Sequence, residues 1–493
     1  MSDPDASRKG QPLRPARRAP ADADVPLCVD LDGTLLLGDV GIESALALVK
    51  RNPLHLFPML LWLARGFAPF KREIARRIAL DPESLPIDQR VLDWIITERK
   101  SRPCLLVTAS DVLLAKPVAE RLGCFDEVIA TDQSTNLAAA AKARMLVQRF
   151  GEQGFDYVGN SASDLAVWPH ARHAIVANAS PRLLARAHKS ANVSQVFPQL
   201  TPGMHKWAQA LRLHQWVKNL LVFVPLLGAH LLGKPELAAR AALAWLLFGL
   251  CTSGTYLIND LLDLDADRQH PRKRTRPLPS GRLNLESALR AIPALIGAAL
   301  IGAWLLLPMK FLAWLAAYLI LTLGYSLWLK RIIVLDAAVL ALLFTIRIFA
   351  GGGATGVAVS SWLAALSLVI FLSLALMKRY TELRAAQAPT DTKLPGRGYH
   401  RASMRLVAIL GAAASVAGLA ILAGYIPSPT SHALYQHPTL LWLLWPLAAW
   451  WLARLWWLAK KGRMHDDPIM FAVRDPQSWL TAIIGLGILW SAV

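Results

Sequence analysis

Two acidic clusters carry the residue types and spacings from which chemistry can be built. The first is Asp30 and Asp32 in VDLDGTLL. They close a short apolar run that reads as a strand, and in an open α/β sheet ligands bind at the C-terminal ends of the strands. The second is Asn259, Asp260, Asp263 and Asp267 in NDLLDLDAD. Steps of three and four predict one shared helical face, with Asp265 off it. This cluster follows a long apolar run, and carboxylates gathered at a membrane interface cost free energy. A divalent cation removes that cost. Oxygen donors select Mg²⁺, which keeps waters and bridges to substrate phosphates. Arg272, Lys273, Arg274 and Arg276 come next and suit phosphate or diphosphate oxygens. The plain alternative is a solvated charged loop.

The elements that must position these groups fall into two halves. The chain has 493 residues, 54% hydrophobic and 18% charged, with mean hydropathy +0.37. That is too apolar for an ordinary soluble domain and excludes a disordered chain. The formal net charge is +19. Because the basic residues interrupt long apolar runs, anionic lipid, phosphate ligands and membrane topology explain the excess better than nucleic acid. Cys28, Cys104, Cys124 and Cys251 form no CxxC pair and fit a reducing compartment.

Residues 1–24 are rich in Pro, Ala, Arg and Asp and lack an apolar core run. They read as a disordered basic lead-in rather than a secretory signal. Residues 25–200 alternate strand-like runs (PLCVDLDGTLL, CLLVTAS, EVIATD, DYVGN, HAIVAN) with helical segments. This predicts a doubly wound parallel sheet. A mostly helical stretch, about 39–100, interrupts the alternation and reads as a cap. Its segment FPMLLWLARGF is shorter than the roughly 20 residues of a span, and is either cap core or a membrane-surface segment. Residues 201–215 read as a linker or interfacial segment.

Nine apolar stretches follow, near 216–233, 236–258, 285–307, 310–329, 332–351, 360–378, 403–425, 438–459 and 478–493. They predict an all-α membrane bundle of about nine spans, the first and last marginal in length. Basic residues crowd the 259–290 and 378–405 loops, including Lys393 and Arg397, and recur at Lys330–Arg331 and in Lys460, Lys461, Arg463 and Arg474. The positive-inside rule then places these loops and the N-terminal half in the cytoplasm of a bacterial-type inner membrane, with the C-terminus outside.

On these motifs, residues 205–493 resemble the UbiA-type prenyltransferase superfamily. RLHQWVKN, the NDxxDxxxD stretch running on to RPLPSG, YSLWLKRIIVLD, IRIFAGGGAT, MKRYTEL and HDDPIMFAVRD are most similar to its decaprenyl-phosphate phosphoribosyltransferase branch. That branch transfers 5-phosphoribose from 5-phosphoribosyl-1-diphosphate (PRPP) to a polyprenyl phosphate. Aromatic-prenylating members usually carry a second aspartate-rich motif. Here the corresponding region offers Lys330 and Asp336, with Leu340 where another carboxylate is expected. The resemblance implies Mg²⁺ on Asp260, Asp263 and Asp267, with Asn259 beside them. Lys218, Lys273, Arg274, Arg276, Lys330, Arg347, Lys378 and Arg379 are candidate phosphate ligands. Arg347 lies within an apolar span, and its plain alternative is an ion pair with Asp336. Tyr256, Tyr325 and Tyr380 are candidates for ribose hydroxyls or interfacial anchors. GGGAT (351–355) allows close passage of a lipid tail or backbone, or a turn.

Residues 25–200 resemble the haloacid dehalogenase-like (HAD) phosphatases through DxDGT, a strand-ending Thr or Ser, a lysine, and GNxxxD. The resemblance implies Asp30 as nucleophile, Asp32 as general acid and base, and Thr108 and Lys142 on the phosphoryl group, with Lys116 as the rival lysine. Asp30, Asp32, Asp164 and Asn160 would hold Mg²⁺. Asn160 stands where GDxxxD would place an aspartate. Together the halves imply a bifunctional enzyme whose phosphatase removes the 5-phosphate of the transferase product, a precursor suited to a cell wall or other glycan. The alternatives are a prenyltransferase for an aromatic or other polar acceptor, and a regulatory HAD half. No nucleic acid partner is expected.

Overall fold

The computed structural model describes residues 25–132, 137–199, 203–385, 398–464 and 467–493. The lead-in, Lys393 and Arg397 lie outside them. The chain divides into two compact units, residues 1–201 and 202–493.

The N-terminal unit is built on a six-stranded parallel sheet. Its strands are β1 (Leu27–Val29), β2 (Cys104–Asp111), β3 (Glu127–Thr131), β4 (Asp156–Gly159), β5 (Ala174–Ala177) and β6 (Val193–Phe197), in the order β3-β2-β1-β4-β5-β6. The five expected strands are present. β6 adds an edge strand whose residues alternate between half-buried and exposed. The helices are α1 (Val40–Arg51), α2 (Leu56–Ala64), α3 (Phe67–Ala75), α4 (Gln89–Glu98), α5 (Val112–Leu122), α6 (Ala140–Phe150) and α7 (Pro181–Ser190). Asp39, Asp88 and Asp111 cap α1, α4 and α5 by accepting from backbone N–H groups, the usual way an aspartate starts a helix. The cap is narrower than expected. Val91 and Ile95 of α4 pack with Leu27, Val29 and Cys104 against the sheet, so α4 is a sheet-covering helix and only α1–α3 form the insertion. β1 pairs with β2 on one side and β4 on the other. The chain winds outward in both directions from β1, and its C-terminal end is the switch point where α/β sheets bind ligands.

The second unit is helical: α8 (Met204–Ala210), α9 (Val224–Gly228), α10 (Pro235–Leu262), α11 (Leu264–Gln269), α12 (Leu285–Leu306), α13 (Met309–Leu327), α14 (Leu335–Thr355), α15 (Ser361–Ala385), α16 (Met404–Tyr425), α17 (Pro429–Leu434), α18 (Leu444–Lys461), α19 (Pro468–Arg474) and α20 (Pro476–Ala492). Among the described residues, six helices are long and apolar enough to cross a membrane: α10, α12, α13, α14, α15 and α16. The other three apolar stretches fall short of that. The first is a 3₁₀ segment, Leu213–Phe223, running into five-residue α9. The eighth begins as a 3₁₀ turn and continues as α18, which carries Arg454, Lys460 and Lys461. The last, α20, has 17 residues. The core joins α10, α12, α13 and α14 around Phe248, Phe311, Leu315 and Ala350. GGGAT is helical. A Cβ on Gly351 would lie 1.9 Å from the Val222 carbonyl oxygen, so the glycine admits a neighbouring backbone rather than making a turn.

Candidate active sites

In the N-terminal unit the strand ends bring the expected residues together. Asp30 follows β1 directly, Thr108 and Ser110 lie in the C-terminal half of β2, and Asn160 follows β4. Lys142 of α6 donates to Asp30 Oδ1 at 2.7 Å and to the Tyr157 hydroxyl at 2.8 Å. It also lies 3.9 Å from Asp164 Oδ1. Lys116, the rival, is exposed and pairs with Glu120. Asp32 Oδ1 accepts from the Val40 N–H at 2.8 Å and Oδ2 from the Ser110 hydroxyl. Thr108 is buried, and its hydroxyl accepts from the Ser110 N–H. Asp164 is held by the N–H groups of Asn160 and Ser161 and by the Tyr157 hydroxyl. The DGT turn depends on Gly33, whose φ is +71° and whose Cβ would fall 2.0 Å from Asn160 Nδ2.

Burial dominates the electrostatics here. It pushes the Asp30 carboxyl up to about 6, with Lys142 opposing and Asp164 reinforcing. It pushes Asp32 up to about 8, with Asp39 adding and Ser110 opposing, so this carboxyl favours holding a proton near neutrality. Burial works against the Lys142 ammonium, but Asp30 and Asp164 outweigh it and raise its pKa.

In the membrane unit the second acidic cluster is split. α10 ends at Leu262, and Asp263 has non-helical backbone before α11 begins. The single helical face expected for the motif is therefore broken. Asp260 and Asp267 converge on Arg276, whose Nη1 donates to Asp260 Oδ1 at 3.4 Å and Asp267 Oδ2 at 2.6 Å. Arg212 also bonds Asp260, and Lys273 lies 3.3 Å from Asp267. Asp263 turns instead to Lys330, which donates to both its oxygens at 3.0 Å. Asn259 is half-buried and Arg274 exposed.

A second polar centre joins Lys218 and Lys378, which both donate to Asp467 Oδ2, at 3.2 and 2.7 Å. Asp467 caps α19 through the Ile469 N–H. Burial opposes its charge, but the two lysines hold its carboxyl well below the usual range. Arg347 is buried and bonded to neutral groups: Asn219 Oδ1 at 3.0 Å, the Tyr318 hydroxyl at 3.3 Å and the Leu343 carbonyl. Its guanidinium also stacks near Tyr318, Phe344 and Phe248.

The plain alternative for Arg347 is not what the structure shows. The ion pair with Asp336 is made by Arg379, at 2.8 Å with both side chains fully buried, and not by Arg347. Arg379 also binds Glu382 and the Tyr325 hydroxyl, so Arg379 and Tyr325 belong to one polar cluster around Asp336. Tyr380 packs edge-on against Trp456. Tyr256 lies under the Arg212 guanidinium. Sequence reasoning passed over Arg212 and Asp467. Both lie in stretches that carry the resemblance, but neither belongs to a spaced acidic or basic repeat.

Oxygen donors make both acidic sites suited to Mg²⁺. In the N-terminal unit the Asn160 Oδ1 is buried without a hydrogen-bond partner among the described residues, beside the Asp30–Asp164 pair. In the membrane unit two carboxylates face one point, now bridged by Arg276. Among the described residues no three acidic, His or Cys side chains converge on one point.

Residues 221–475 match the UbiA prenyltransferase family, and residues 27–168 match the haloacid dehalogenase-like hydrolases. An uncharacterized protein of Sinorhizobium fredii, y4nM, is 35% identical over 93% of this chain and 89% of its own. The nodulation protein NoeC of Azorhizobium caulinodans is 31% identical over 57% of this chain and 91% of its own. A decaprenyl-phosphate phosphoribosyltransferase of Mycolicibacterium smegmatis is 35% identical over 42% of this chain and 67% of its own. The chain thus belongs to the UbiA prenyltransferase family as a multi-pass membrane protein, with a haloacid dehalogenase-like domain in its N-terminal half.

Proposed function

We propose that the membrane unit transfers 5-phosphoribose from PRPP to a polyprenyl phosphate and that the N-terminal unit removes the 5-phosphate of the product. Similarity to decaprenyl-phosphate phosphoribosyltransferases supports the first step. The observation that carries it against aromatic prenylation is Asp336. This aspartate, where a second metal-binding motif is expected, is fully buried in an ion pair with Arg379. Leu340 stands one turn on. The Asp336 carboxylate is committed to holding α14 against α15 and is not offered to a second diphosphate-bound metal.

In the transfer, an oxygen of the lipid phosphate forms a bond to C1 of the ribose. The bond from C1 to the diphosphate breaks, and the diphosphate leaves with the electron pair. Arg212, Arg276, Lys273 and Lys330 are placed to bind diphosphate oxygens, exchanging their carboxylate partners for phosphate. Lys218 and Lys378, spaced by Asp467, take the lipid phosphate, with Arg347 behind them. Lys218 and Arg347 lie over the same Phe344 ring, 5.7 and 5.2 Å from its centre. The lipid phosphate is already an anion, so alignment rather than a strong base is what the protein supplies.

In the second step Asp30 attacks the phosphorus of the 5-phosphate, and the ribose oxygen leaves with a proton from Asp32. Asp32 then takes a proton from the water that hydrolyses the aspartyl-phosphate. Lys142 holds Asp30 ionised and aimed. Mg²⁺, on Asp260 and Asp267 in one unit and on Asp30, Asp164 and Asn160 in the other, would supply charge neutralisation for the phosphoryl oxygens. Carrying both activities on one chain raises the effective concentration of the intermediate at the phosphatase, and dephosphorylation makes transfer effectively irreversible. We place the basic loops and the N-terminal unit in the cytoplasm, on the inner membrane.

Offering purified protein PRPP and a prenyl diphosphate side by side tests the donor. Consumption of PRPP dependent on polyprenyl phosphate is expected. Consumption of the prenyl diphosphate with an aromatic acceptor, and none of PRPP, would overturn the reading.

A further inference from the structure

The insertion that caps the N-terminal sheet presents a surface that a soluble domain would bury. α2 and the 3₁₀ turn before it, Pro53–His55, form an apolar helical stretch over residues 53–64. Trp62 of α2 points inward, packing with Ile74, Leu48 and Phe70, and Met59 packs half-buried against the same cluster. Arg77 stacks on its indole at 4.6 Å. With Trp62 and Met59 turned inward, the opposite face is left apolar and open: Phe57 is 69% exposed, Leu60 and Leu61 65%, and Phe67 at the start of α3 68%. Monomeric soluble proteins rarely leave such a contiguous patch uncovered. The stretch is too short to span a bilayer, since twelve helical residues reach about 18 Å of the roughly 30 Å of hydrocarbon.

Charge selects what covers it. Residues 50–77 carry seven cations against one acid, Glu73; Lys71 and Arg72 turn to the Ala109 carbonyl and Asp111 of the sheet, which leaves Lys50, Arg51, Arg65, Arg76 and Arg77 around the apolar stretch. Arg65, Arg76 and Arg77 all act on Glu73 and hold its carboxyl below the usual range, chiefly through the Arg77 hydrogen bond. Arg51 bonds the Arg77 carbonyl. An apolar helix rimmed by arginines is the composition that lies in the headgroup layer of an anionic bilayer. This chain is anchored in a membrane by its own spans, so lipid is the apolar phase always at hand. A protein partner would have to bring both an apolar groove and an acidic rim.

We infer that the α2–α3 cap is a membrane-surface element that inserts Phe57, Leu60, Leu61 and Phe67 into an anionic lipid leaflet. The inference deepens the phosphatase reading, because a cap seated in lipid presents the site beneath it to a lipid-borne phosphate. The test does not use that activity. The described cysteines are buried, so a bimane label can be directed to Leu60→Cys in the full chain, with Glu152→Cys as an exposed site outside the cap. The protein is placed in phosphatidylcholine–phosphatidylglycerol nanodiscs. Nitroxide-labelled lipid is expected to quench the Leu60→Cys label severalfold more than the Glu152→Cys label, and aqueous iodide the reverse. Quenching of both labels by iodide alike would overturn the inference by showing a water-facing helix. Protection of the Leu60→Cys label from both quenchers would overturn it by showing a protein cover. Equal lipid quenching in pure phosphatidylcholine would overturn the anionic-lipid part.

Discussion

In the N-terminal unit Asp30 and Asp164 share one ammonium, Lys142, while Asp32 accepts from two neutral donors, the Val40 N–H and the Ser110 hydroxyl. In the membrane unit cations outnumber carboxylates: Asp260 and Asp267 meet Arg212, Arg276 and Lys273, Asp263 meets Lys330, and Asp467 meets two lysines. The first site holds surplus negative charge, which a divalent cation offsets before a single phosphoryl group can approach. The second holds surplus donors, which match a substrate pair bearing several phosphates. The charge balance of each site follows the number of phosphates it is proposed to handle.

Five substitutions would break or sharpen that contrast. Asp260→Ala should lower ribosyl transfer by about 10³-fold, the scale of losing a preorganised charge at the reacting centre, while phosphatase turnover of a soluble phosphate ester is unchanged. An equal fall in both activities would show that the units do not work separately. Arg379→Met should cost about 3–5 kcal/mol in unfolding free energy by stranding Asp336. Adding Asp336→Leu should recover most of it. Full stability with lost transfer would instead make Arg379 a ligand.

Asp467→Asn keeps both lysines but loosens their spacing. It should raise KM for polyprenyl phosphate about 10- to 100-fold, as expected for hydrogen bonds to charge of about 1.5–3 kcal/mol, with kcat little changed. The smallest effect concerns Asp156, buried between Arg102 and Arg172. Burial would raise its carboxyl, but bonds from the two arginines outweigh it and hold it low. Its contribution is therefore present above the unfolded carboxyl value, about 4, and is lost as pH falls through the depressed folded value. Asp156→Asn should destabilise the N-terminal unit at neutral pH, and the gap from wild type should close in acid unfolding experiments below about pH 4.

The strand ends were legible because each apolar run stops at a polar residue that faces the site, as at Asp30, Thr108 and Asn160. β6 was not, because an edge strand alternates and its run is half polar. α4 reads like a cap helix, since sequence shows an apolar stripe and not what it packs on. The regular spacing of Asp260, Asp263 and Asp267 does not reveal that α10 ends before Asp263. Lys378 and Arg379 look like one basic patch, yet adjacent helical residues point about 100° apart, one to Asp467 and the other into the core. Arg212 and Asp467 stand far from their partners in sequence, and only the fold pairs them.

The central claim, two reactions in sequence on one lipid, is tested most directly by the products. Purified protein is incubated with Mg²⁺, PRPP and a polyprenyl monophosphate, and the lipids are read by mass spectrometry beside Asp30→Asn and Asp260→Ala. The account predicts a ribosyl lipid from wild type, its 5-phosphorylated form from Asp30→Asn, and neither from Asp260→Ala. A folded wild type that makes no pentosyl lipid would contradict it.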